Sequence, residues 1–515
     1  MPLEPVKVTI EDQPGSSRSL DDHHNARYVA GSQFFNHRRA GAIRNGGPVK
    51  LFSSDYCGVL ISGAFSSLVY QMLRDCLQYL LVYLQVSAET RTTAERLVES
   101  TAIFGFVIGY LSDCTPILGY HRKTYMLLGW AWACMLSLAM LIHTQADDKV
   151  MSTYIFIGFA AMASFGTMIA YVACEIYLVE LSQQETIEER GTIVAMYTIA
   201  RITGQASGRV MSRIMNASNT IGSIRWGFVA LFAFSLIPPL CVINFLEEPL
   251  ATRPAMSWKL GSRQFWQIVQ QRVVRYIITF ICVYSAFSNI RMKDADNAIV
   301  SWLALQPSGE FMGRVVRDLA GITASAIWVV WFLNRPWVQF FAVGPLFNAF
   351  PAALLAILVA THSLRAQWFY YGMQIFGGVA EGVFRLAYLI PLVEICDIGS
   401  EGQTVGMVLS FDKLLATITR TISSEAFLSA NWSLTPSLVN ADNANAHNKV
   451  VVMTSVGNGL KLLALLGLIF LPTQKLDAQQ LRAYGGFSSI GGAVIIVFFV
   501  VCFVSVTVLN LTVYF

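Results

Sequence analysis

Residues 153–181 read TYIFIGFAAMASFGTMIAYVACEIYLVEL, a run in which the only charged residues are Glu175 and Glu180. A helix rises about 1.5 Å per residue, so this run is long enough to cross the roughly 30 Å hydrocarbon core of a bilayer. Twelve further apolar runs are spread over the chain, at residues 56–84, 97–112, 124–142, 191–214, 226–246, 273–290, 314–333, 338–361, 368–396, 404–424, 450–471 and 490–511. The pattern predicts an all-α polytopic membrane protein.

The composition supports the same class. Charged residues make up 13% of the 515 residues and hydrophobic residues 55%, whereas soluble domains carry ~25% charged residues. So little charge does not cover the surface of a soluble enzyme or a disordered scaffold. The net charge of +4 is small and dispersed, so we expect the lipid bilayer as a partner and no nucleic acid.

Polar segments divide the predicted helices into domains. Residues 1–50 lack apolar periodicity and are rich in basic residues, which predicts a disordered tail on the cytoplasmic side. Residues 247–272 are polar, carry four basic side chains and predict a cytoplasmic linker. We therefore expect one six-helix half at 51–246 and a second at 273–471. Residues 472–515 are expected to form a linker and a thirteenth membrane helix.

The two predicted halves resemble each other in sequence. Three residues of the first half recur in the second at a constant offset, so that Gly191, Met196 and Arg209 match Gly402, Met407 and Arg420. Internal repeats of this kind are typical of secondary transporters, which bind their solute between the repeats. The sequence therefore predicts a duplicated, pseudo-symmetric helical bundle.

Four separated blocks carry a more specific resemblance. Residues 109–125, GYLSDCTPILGYHRKTY, resemble the signature after the second helix of the folate-biopterin transporter family, a branch of the major facilitator superfamily. Three further blocks resemble that family in the same order, namely Arg74-Asp75, the pair Glu175 and Glu180, and residues 401–412, EGQTVGMVLSFD. The resemblance implies a major facilitator fold and a transporter that moves a folate, a pterin or a related heterocycle by alternating access.

The chain also departs from the family pattern. Thr101-Ala102 and Gly105-Phe106 stand where family members often carry Pro-Trp and Lys-Pro, and Asp412 stands where Asn is usual. A different solute, such as S-adenosylmethionine or a nucleobase-like compound, is therefore an alternative. A transporter-shaped receptor that binds without translocating is a second alternative.

Polar residues inside the apolar runs are the candidate substrate-binding residues. A charged side chain at bilayer depth costs roughly 2.5–3.5 kcal/mol, so such groups are expected to face a cavity or a partner. Helical spacing places them in stripes on individual helices. The candidates are Asp75, Tyr171, Glu175, Arg201, Gln205, Arg209, Glu381, Arg385, Tyr388, Asp412 and Arg420. Glu381 and Arg385 also have the spacing of a structural i,i+4 ion pair, which is the alternative for those two.

These residue types match the chemistry of a folate or pterin. A carboxylate accepts two hydrogen bonds from the adjacent N–H donors of a pterin ring, and tyrosines stack on its flat face. The guanidinium of an arginine can donate two parallel hydrogen bonds to a glutamate carboxylate of folate. A carboxylate in a desolvated cavity holds its proton more tightly, so Asp75 or Glu175 is a candidate for proton-coupled transport.

The segment between the second and third runs is a candidate conformational latch. Asp113 can cap a helix N-terminus or pair with Arg122 across the seam between the halves, and Lys123 lies beside them. The alternative is a solvated loop that is turned by Pro116 and Gly119.

No catalytic constellation, cofactor motif or metal-ligand spacing is present in the sequence. We therefore expect no enzymatic activity, no cofactor and no metal site. The expected partner is a small-molecule substrate, with protons as a second one. We expect the plasma membrane as the location, with an organelle membrane as the alternative.

Overall fold

The computed structural model describes residues 41–145, 153–216, 220–250, 257–425, 432 and 434–511. Within these residues the secondary structure is helical, without a β-strand. The helices are α1 Cys57–Tyr83, α2 Ala88–Ser100, α3 Gly105–Cys114, α4 Lys123–Gln145, α5 Thr153–Ser182, α6 Thr192–Met215, α7 Ile221–Phe245, α8 Trp258–Gln270, α9 Arg272–Ser288, α10 Lys293–Trp302, α11 Pro307–Ile327, α12 Trp337–Phe341, α13 Val343–Ala360, α14 Gln367–Ile395, α15 Glu401–Glu425, α16 Pro436–Asn440, α17 Ala444–Leu462, α18 Lys475–Tyr484 and α19 Ser489–Leu511.

Each of the thirteen predicted runs lies on helical structure, and the prediction of an all-α membrane protein is confirmed. The second run is a single span, because a short 3₁₀ turn at Thr101–Phe104 joins α2 to α3. Nine helices of the described chain are long and apolar enough to cross a membrane, or ten if the bent pair α9 and α10 is one span. Three more helices, α1, α6 and α15, have the length but are too polar for that criterion. They carry most of the candidate substrate-binding charges.

The helices pack as two bundles that meet along two seams. In the N-terminal half α1 packs on α6 and α7, and in the C-terminal half α11 packs on α14. The seams between the halves are α3 against α15 and α6 against α11. The sequence offset that relates α6 to α15 also relates α3 to α11. The two seams are therefore equivalent under the internal duplication.

Glycines let the halves approach closely at the first seam. A Cβ atom on Gly109 of α3 would lie 2.0 Å from the carbonyl oxygen of Gly402 in α15. One turn further on, a Cβ atom on Gly406 would lie 2.6 Å from the carbonyl oxygen of Gly105. Any larger residue at Gly109 would force the backbones of α3 and α15 apart.

The segment after α17 adds two helices to the twelve-helix pattern. α18 packs on the end of α14, and α19 packs on α15 and α8. Phe411 of α15 stacks on Phe498 and makes an edge contact with Phe499 of α19. Most of α19 is exposed and apolar, and it is long enough to cross a membrane. It corresponds to the predicted run 490–511.

Candidate functional site

A buried ion pair lies at the contact between α5 and α6. Glu175 is fully buried, and Arg201 Nη1 donates to its Oε1 atom at 2.8 Å. The guanidinium of Arg201 also donates from Nε to Ser67 Oγ of α1 at 3.1 Å. The second carboxylate oxygen of Glu175, Oε2, is buried and has no hydrogen-bond partner among the residues that the structure describes. One acceptor atom of this site is thus left available.

Two tyrosines connect the ion pair to the other half. Tyr388 of α14 donates to Glu175 Oε1 at 3.0 Å, and its hydroxyl lies 3.1 Å from the hydroxyl of Tyr171 on α5. The guanidinium of Arg201 lies over the Tyr171 ring, 4.1 Å from the centroid, which is a cation–π geometry. The four predicted residues Tyr171, Glu175, Arg201 and Tyr388 therefore form one group, which we call the central cluster.

A second group spans the α6–α11 seam. Arg385 Nη2 donates to Gln205 Oε1 across the halves and to Glu381 Oε1 at 2.8 Å. Gln205 also donates from Nε2 to Asp318 Oδ1 of α11 at 3.1 Å. The i,i+4 pair that was the alternative for Glu381 and Arg385 is therefore present. Arg385 nevertheless reaches a partner in the other half as well, so the pair is not purely local.

The remaining charges of this group are ion-paired with α11. Arg209 Nη1 lies 3.2 Å from Asp318 Oδ2, and Arg317 Nε lies 3.3 Å from Glu381 Oε2. Neither contact has hydrogen-bond geometry, since the Arg317 Nε and Asp318 Oδ2 atoms have no hydrogen-bond partner in the described structure. These pairs are therefore held by charge rather than by directed hydrogen bonds.

A third group lies further from the central cluster. Glu99 of α2 accepts from Arg420 of α15 at 2.9 Å and from Arg74 of α1 at 3.1 Å. Asp75 lies apart and accepts from Gln71 Nε2 at 2.8 Å. Arg74 pairs with Glu95 and Glu99 in the described structure. The structure therefore places the predicted residues Asp75 and Arg420 outside the central cluster.

Asp412 is linked to the central cluster through its neighbour. Its Oδ1 atom accepts from Ser285 of α9 at 2.8 Å, and Lys413 Nζ lies 2.9 Å from its Oδ2 atom. The ammonium of Lys413 also lies 5.9 Å from the centroid of the Tyr388 ring. Lys413 thus faces the same tyrosine that contacts Glu175.

Solvent exposure rises along the seam away from the central cluster. The Glu175 side chain is 0% exposed, whereas the Arg420 side chain is 34% exposed and that of Arg317 36% exposed. These last two side chains pair with Glu99 and Glu381 on neighbouring helices. Side-chain exposure is therefore lowest at the central cluster and higher at the pairs that Glu99 and Glu381 form.

The predicted latch closes the opposite end of the seam. Asp113, at the end of α3, accepts from the backbone N–H groups of Gly402 at 3.1 Å and Gln403 at 2.7 Å. These are free donors at the N-terminus of α15, where a negative charge is stabilised. Arg122 donates to Asp113 Oδ1 at 2.6 Å from within the same half. Asp113 thus makes the contact across the seam, and Arg122 holds the carboxylate in place.

Additional charges complete this latch. Arg122 Nε donates to Glu180 Oε1 at 2.7 Å, and Arg44 donates to Glu180 Oε2 at 3.0 Å and to Glu401 in the other half. Residues 1–40 of the predicted tail lie outside the described residues, whereas residues 41–50 lie against this latch. Lys123 does not reach the seam, since its ammonium donates to Leu246 O at 2.7 Å at the end of α7. Its predicted place in the latch is therefore wrong, because it caps a helix within its own half.

A buried carboxylate at this end starts helix α6. Glu185 accepts from the backbone N–H groups of Gly191 at 2.9 Å and Ile193 at 3.0 Å, and from Ser182 Oγ at 2.6 Å. Burial raises the pKa of Glu185 from 4.5 to about 7, and the three hydrogen bonds only partly offset this. Glu185 thereby fixes the start of the helix that carries Arg201.

We expect the stability of the protein to depend on Glu185 between pH 4.5 and pH 7. Because its folded pKa lies above the ordinary value of 4.5, the folded state holds the proton more tightly than the unfolded chain. This contribution is complete below about pH 4.5 and is lost as the pH rises through about 7. Its full size is about 3 kcal/mol. Thermal unfolding at about pH 5 and about pH 8 measures it.

The Glu185→Gln variant is the control for this pH dependence. It keeps the shape of the cap but does not titrate, so its unfolding temperature is expected to fall less than that of the wild type over the same pH range. Equal falls for the two proteins would contradict the assignment to Glu185.

Several residues of the site were missed by the sequence analysis. Lys413 follows a predicted residue directly, while Arg317, Asp318 and Glu99 lie within the first five residues of their predicted runs. Their position near the starts of these runs made them look like ordinary solvated termini. Arg44 lies in the predicted tail, where its single positive charge gave no signal. Only the three-dimensional arrangement shows that each of them has an oppositely charged partner in the site.

Solved structures of major facilitator transporters share this fold. The proton:xylose symporter XylE matches with a TM-score of 0.59 at 12% identity, covering 82% of this chain and 98% of that chain; a second XylE structure, from E. coli, has a TM-score of 0.55. The human organic anion transporter MFSD10 matches with a TM-score of 0.53 at 14% identity, over 80% of this chain and 99% of that one. The chain thus has the fold of the major facilitator transporters.

The sequence comparisons give the family within that class. Residues 70–482 match the BT1 family, and the chain belongs to this family. The folate-biopterin transporter of Synechocystis sp. is 22% identical over 341 residues, which are 62% of this chain and 63% of that protein. The match thus spans less than two-thirds of the length of this relative. The predicted resemblance and the prediction of a multi-pass membrane transporter are confirmed.

Proposed function

We propose that the protein is a secondary active transporter that moves a folate, a pterin or a related heterocycle by alternating access. The relative from Synechocystis sp. is named a folate-biopterin transporter, which supports this substrate class. With the N-terminus in the cytoplasm, the latch end faces the cytoplasm. The conformation described above is then held together at its cytoplasmic end by the latch. We propose the plasma membrane as the location, with an organelle membrane as the alternative.

The central cluster is the observation that carries this proposal. It combines a carboxylate, a guanidinium and two phenols in one place, and Tyr388 brings it into contact with both halves. A pterin ring would exchange hydrogen bonds with Glu175 and stack on a tyrosine. The arginines of the outer groups would attract the glutamate carboxylates of a folate. A solute bound here would replace contacts that join the halves, which couples its binding to their relative movement.

Proton coupling is proposed through Glu175. Its Oε2 atom is buried and has no hydrogen-bond partner among the described residues, while Oε1 is bound by Arg201 and Tyr388. A proton on Oε2 would neutralise the carboxylate without displacing either partner. It would weaken the attraction for Arg201, so that the guanidinium becomes available to an anionic solute. Asp75, which accepts from Gln71 alone in the described structure, is the alternative proton site.

Uptake into vesicles tests the substrate class. Vesicles that contain the protein are expected to accumulate labelled folate or biopterin above the level of protein-free vesicles, and more with a proton gradient than without one. Arg385→Ala is expected to weaken folate uptake more than biopterin uptake, because only folate carries glutamate carboxylates that Arg385 would bind. The expected loss of folate uptake is roughly 10-fold, which is the effect of removing one hydrogen bond to a charged group.

The alternatives give different results in the same assay. Accumulation of S-adenosylmethionine or a nucleobase, with no accumulation of folate or biopterin, would replace the proposed substrate class. Saturable binding of folate without accumulation would indicate a receptor that does not translocate. Folate uptake that ignores a collapsed proton gradient would contradict the coupling through Glu175 while leaving the substrate class intact.

A further inference from the structure

Two loops meet at the end of the bundle opposite the latch and bring three metal-ligating side chains together. His362 follows α13, Asp442 precedes α17, and His447 lies in the first turns of α17. One ring nitrogen of each histidine and one carboxylate oxygen of Asp442 lie within 4.8 Å of one another. His447 Nε2 is 2.7 Å from Asp442 Oδ1, and His362 Nε2 is 3.8 Å from Asp442 Oδ2.

We propose that His362, Asp442 and His447 bind a divalent transition-metal ion, with Zn²⁺ as the best match. Two imidazoles and one carboxylate are a common donor set for Zn²⁺. A tetrahedral Zn²⁺ with bonds of about 2.0–2.1 Å separates its ligand atoms by roughly 3.3 Å. His447 lies 2.7 Å from Oδ1 and His362 lies 3.8 Å from Oδ2 of the same carboxylate, and a set of one atom from each residue lies within 4.8 Å. Movements of up to about 1.5 Å would therefore bring one carboxylate oxygen and both imidazoles into position.

The hydrogen bonds around Asp442 fix the state of each imidazole. Arg365 Nη2 lies 3.2 Å from His362 Nε2, and a guanidinium only donates, so this Nε2 carries the lone pair. An ionised Asp442 only accepts, so His447 donates to it from Nε2. His362 is thus ready to bind a metal. His447 must release its Nε2 proton to solvent or take the other tautomer when the ion binds.

Arg365 occupies the position that the metal ion would take beside Asp442. It donates to both carboxylate oxygens of Asp442, at 2.7 and 2.8 Å. Its Nε atom donates to Val359 O at 2.9 Å, so the side chain has an anchor to keep when its terminal nitrogens are displaced. A metal ion would therefore displace the Arg365 guanidinium from Asp442. The carboxylate has a positively charged partner both before and after the ion binds.

The surroundings hold the ligands in place and leave a route for the ion. The Trp302 ring packs edge-on against His447 with centroids 5.0 Å apart, and its Nε1 atom donates to Val439 O at 3.0 Å. His362 is half exposed, with 51% of its side chain accessible. An ion can enter from solvent, and a water molecule can take the fourth coordination position. The bound ion would join the α13–α14 loop to the start of α17.

Co²⁺ titration of the purified full chain in detergent tests this site. Co²⁺ in a tetrahedral site of nitrogen and oxygen ligands gives visible absorption without the sulfur charge-transfer bands that the nine free cysteines would produce. We expect such a spectrum, and its loss when Zn²⁺ is added. His362→Ala and His447→Ala are each expected to weaken Co²⁺ binding by about 100-fold. The exposed His143, which lies in α4, gives the control variant His143→Ala, expected to bind like the wild type.

The Arg365→Gln variant keeps all three ligands and removes the competing cation. A metal site predicts that it binds Co²⁺ about tenfold more tightly than the wild type, because the ion no longer has to displace a charged hydrogen bond from Asp442. Weaker or unchanged binding by Arg365→Gln would overturn the proposal, and so would unchanged binding by both His362→Ala and His447→Ala. Absorption dominated by sulfur charge-transfer bands would overturn it as well, because the cysteines would then be the ligands.

Discussion

The variants Glu175→Gln and Arg201→Gln are each expected to lower the initial rate of folate uptake by roughly 10- to 100-fold, the scale of a hydrogen bond to a charged group. They are expected to differ in stability. Arg201→Gln leaves the fully buried Glu175 carboxylate without its ion-pair partner, which costs about 3 kcal/mol or more. Glu175→Gln is milder, because Arg201 keeps its hydrogen bond to Ser67 and its place over the Tyr171 ring.

The double variant Glu175→Gln/Arg201→Gln separates a transport role from a structural one. It removes both charges, so no buried charge is left without a partner, and its unfolding temperature is expected to return toward that of the wild type. Uptake per folded molecule is expected to stay low, since the groups that bind the solute are still absent. Recovery of uptake together with stability would show that the ion pair only holds α5 and α6 together.

The helices of this bundle could be predicted from the sequence because each one is determined by residues that are adjacent in the chain. An apolar run of bilayer length leaves few alternatives to a membrane helix. The stripe of Tyr171 and Glu175 on one face of α5 follows from the helical period alone. The same reasoning selected Arg201 and Tyr388, since an arginine or a polar tyrosine inside an apolar run needs a partner.

Which partner each residue has could not be predicted in the same way. Arg385 reaches Gln205 in the other half, and Glu99 pairs with Arg420 and Arg74. These contacts depend on how the two bundles pack against each other. The helical period within one segment gives no information about that packing. The latch shows the same limit, because the sequence predicts that Asp113 can cap a helix N-terminus but does not indicate that this helix is α15.

Asp113→Asn is expected to open the seam between α3 and α15. The substitution removes the charge that accepts from the amides of Gly402 and Gln403, and it takes one acidic partner from the buried Arg122. A loss of about 3 kcal/mol would lower the ratio of closed to open seam by about 100-fold. Hydrogen–deuterium exchange at residues 402–406 measures this directly, and faster exchange is expected. Folate uptake is expected to fall as well, because alternating access needs both ends to close.

A steric variant tests the same seam without changing its charges. Gly109→Ala places a methyl group only 2.0 Å from the Gly402 carbonyl oxygen, so the two backbones must move apart. We therefore expect faster exchange at residues 402–406, although Asp113 and Arg122 are unchanged. Asp477→Asn changes an exposed acid of α18 and serves as the matched control, with exchange like that of the wild type. If Gly109→Ala speeds exchange but Asp113→Asn does not, glycine packing alone closes the seam. In that case the carboxylate is no latch, since the amides of α15 would be protected equally well without its charge.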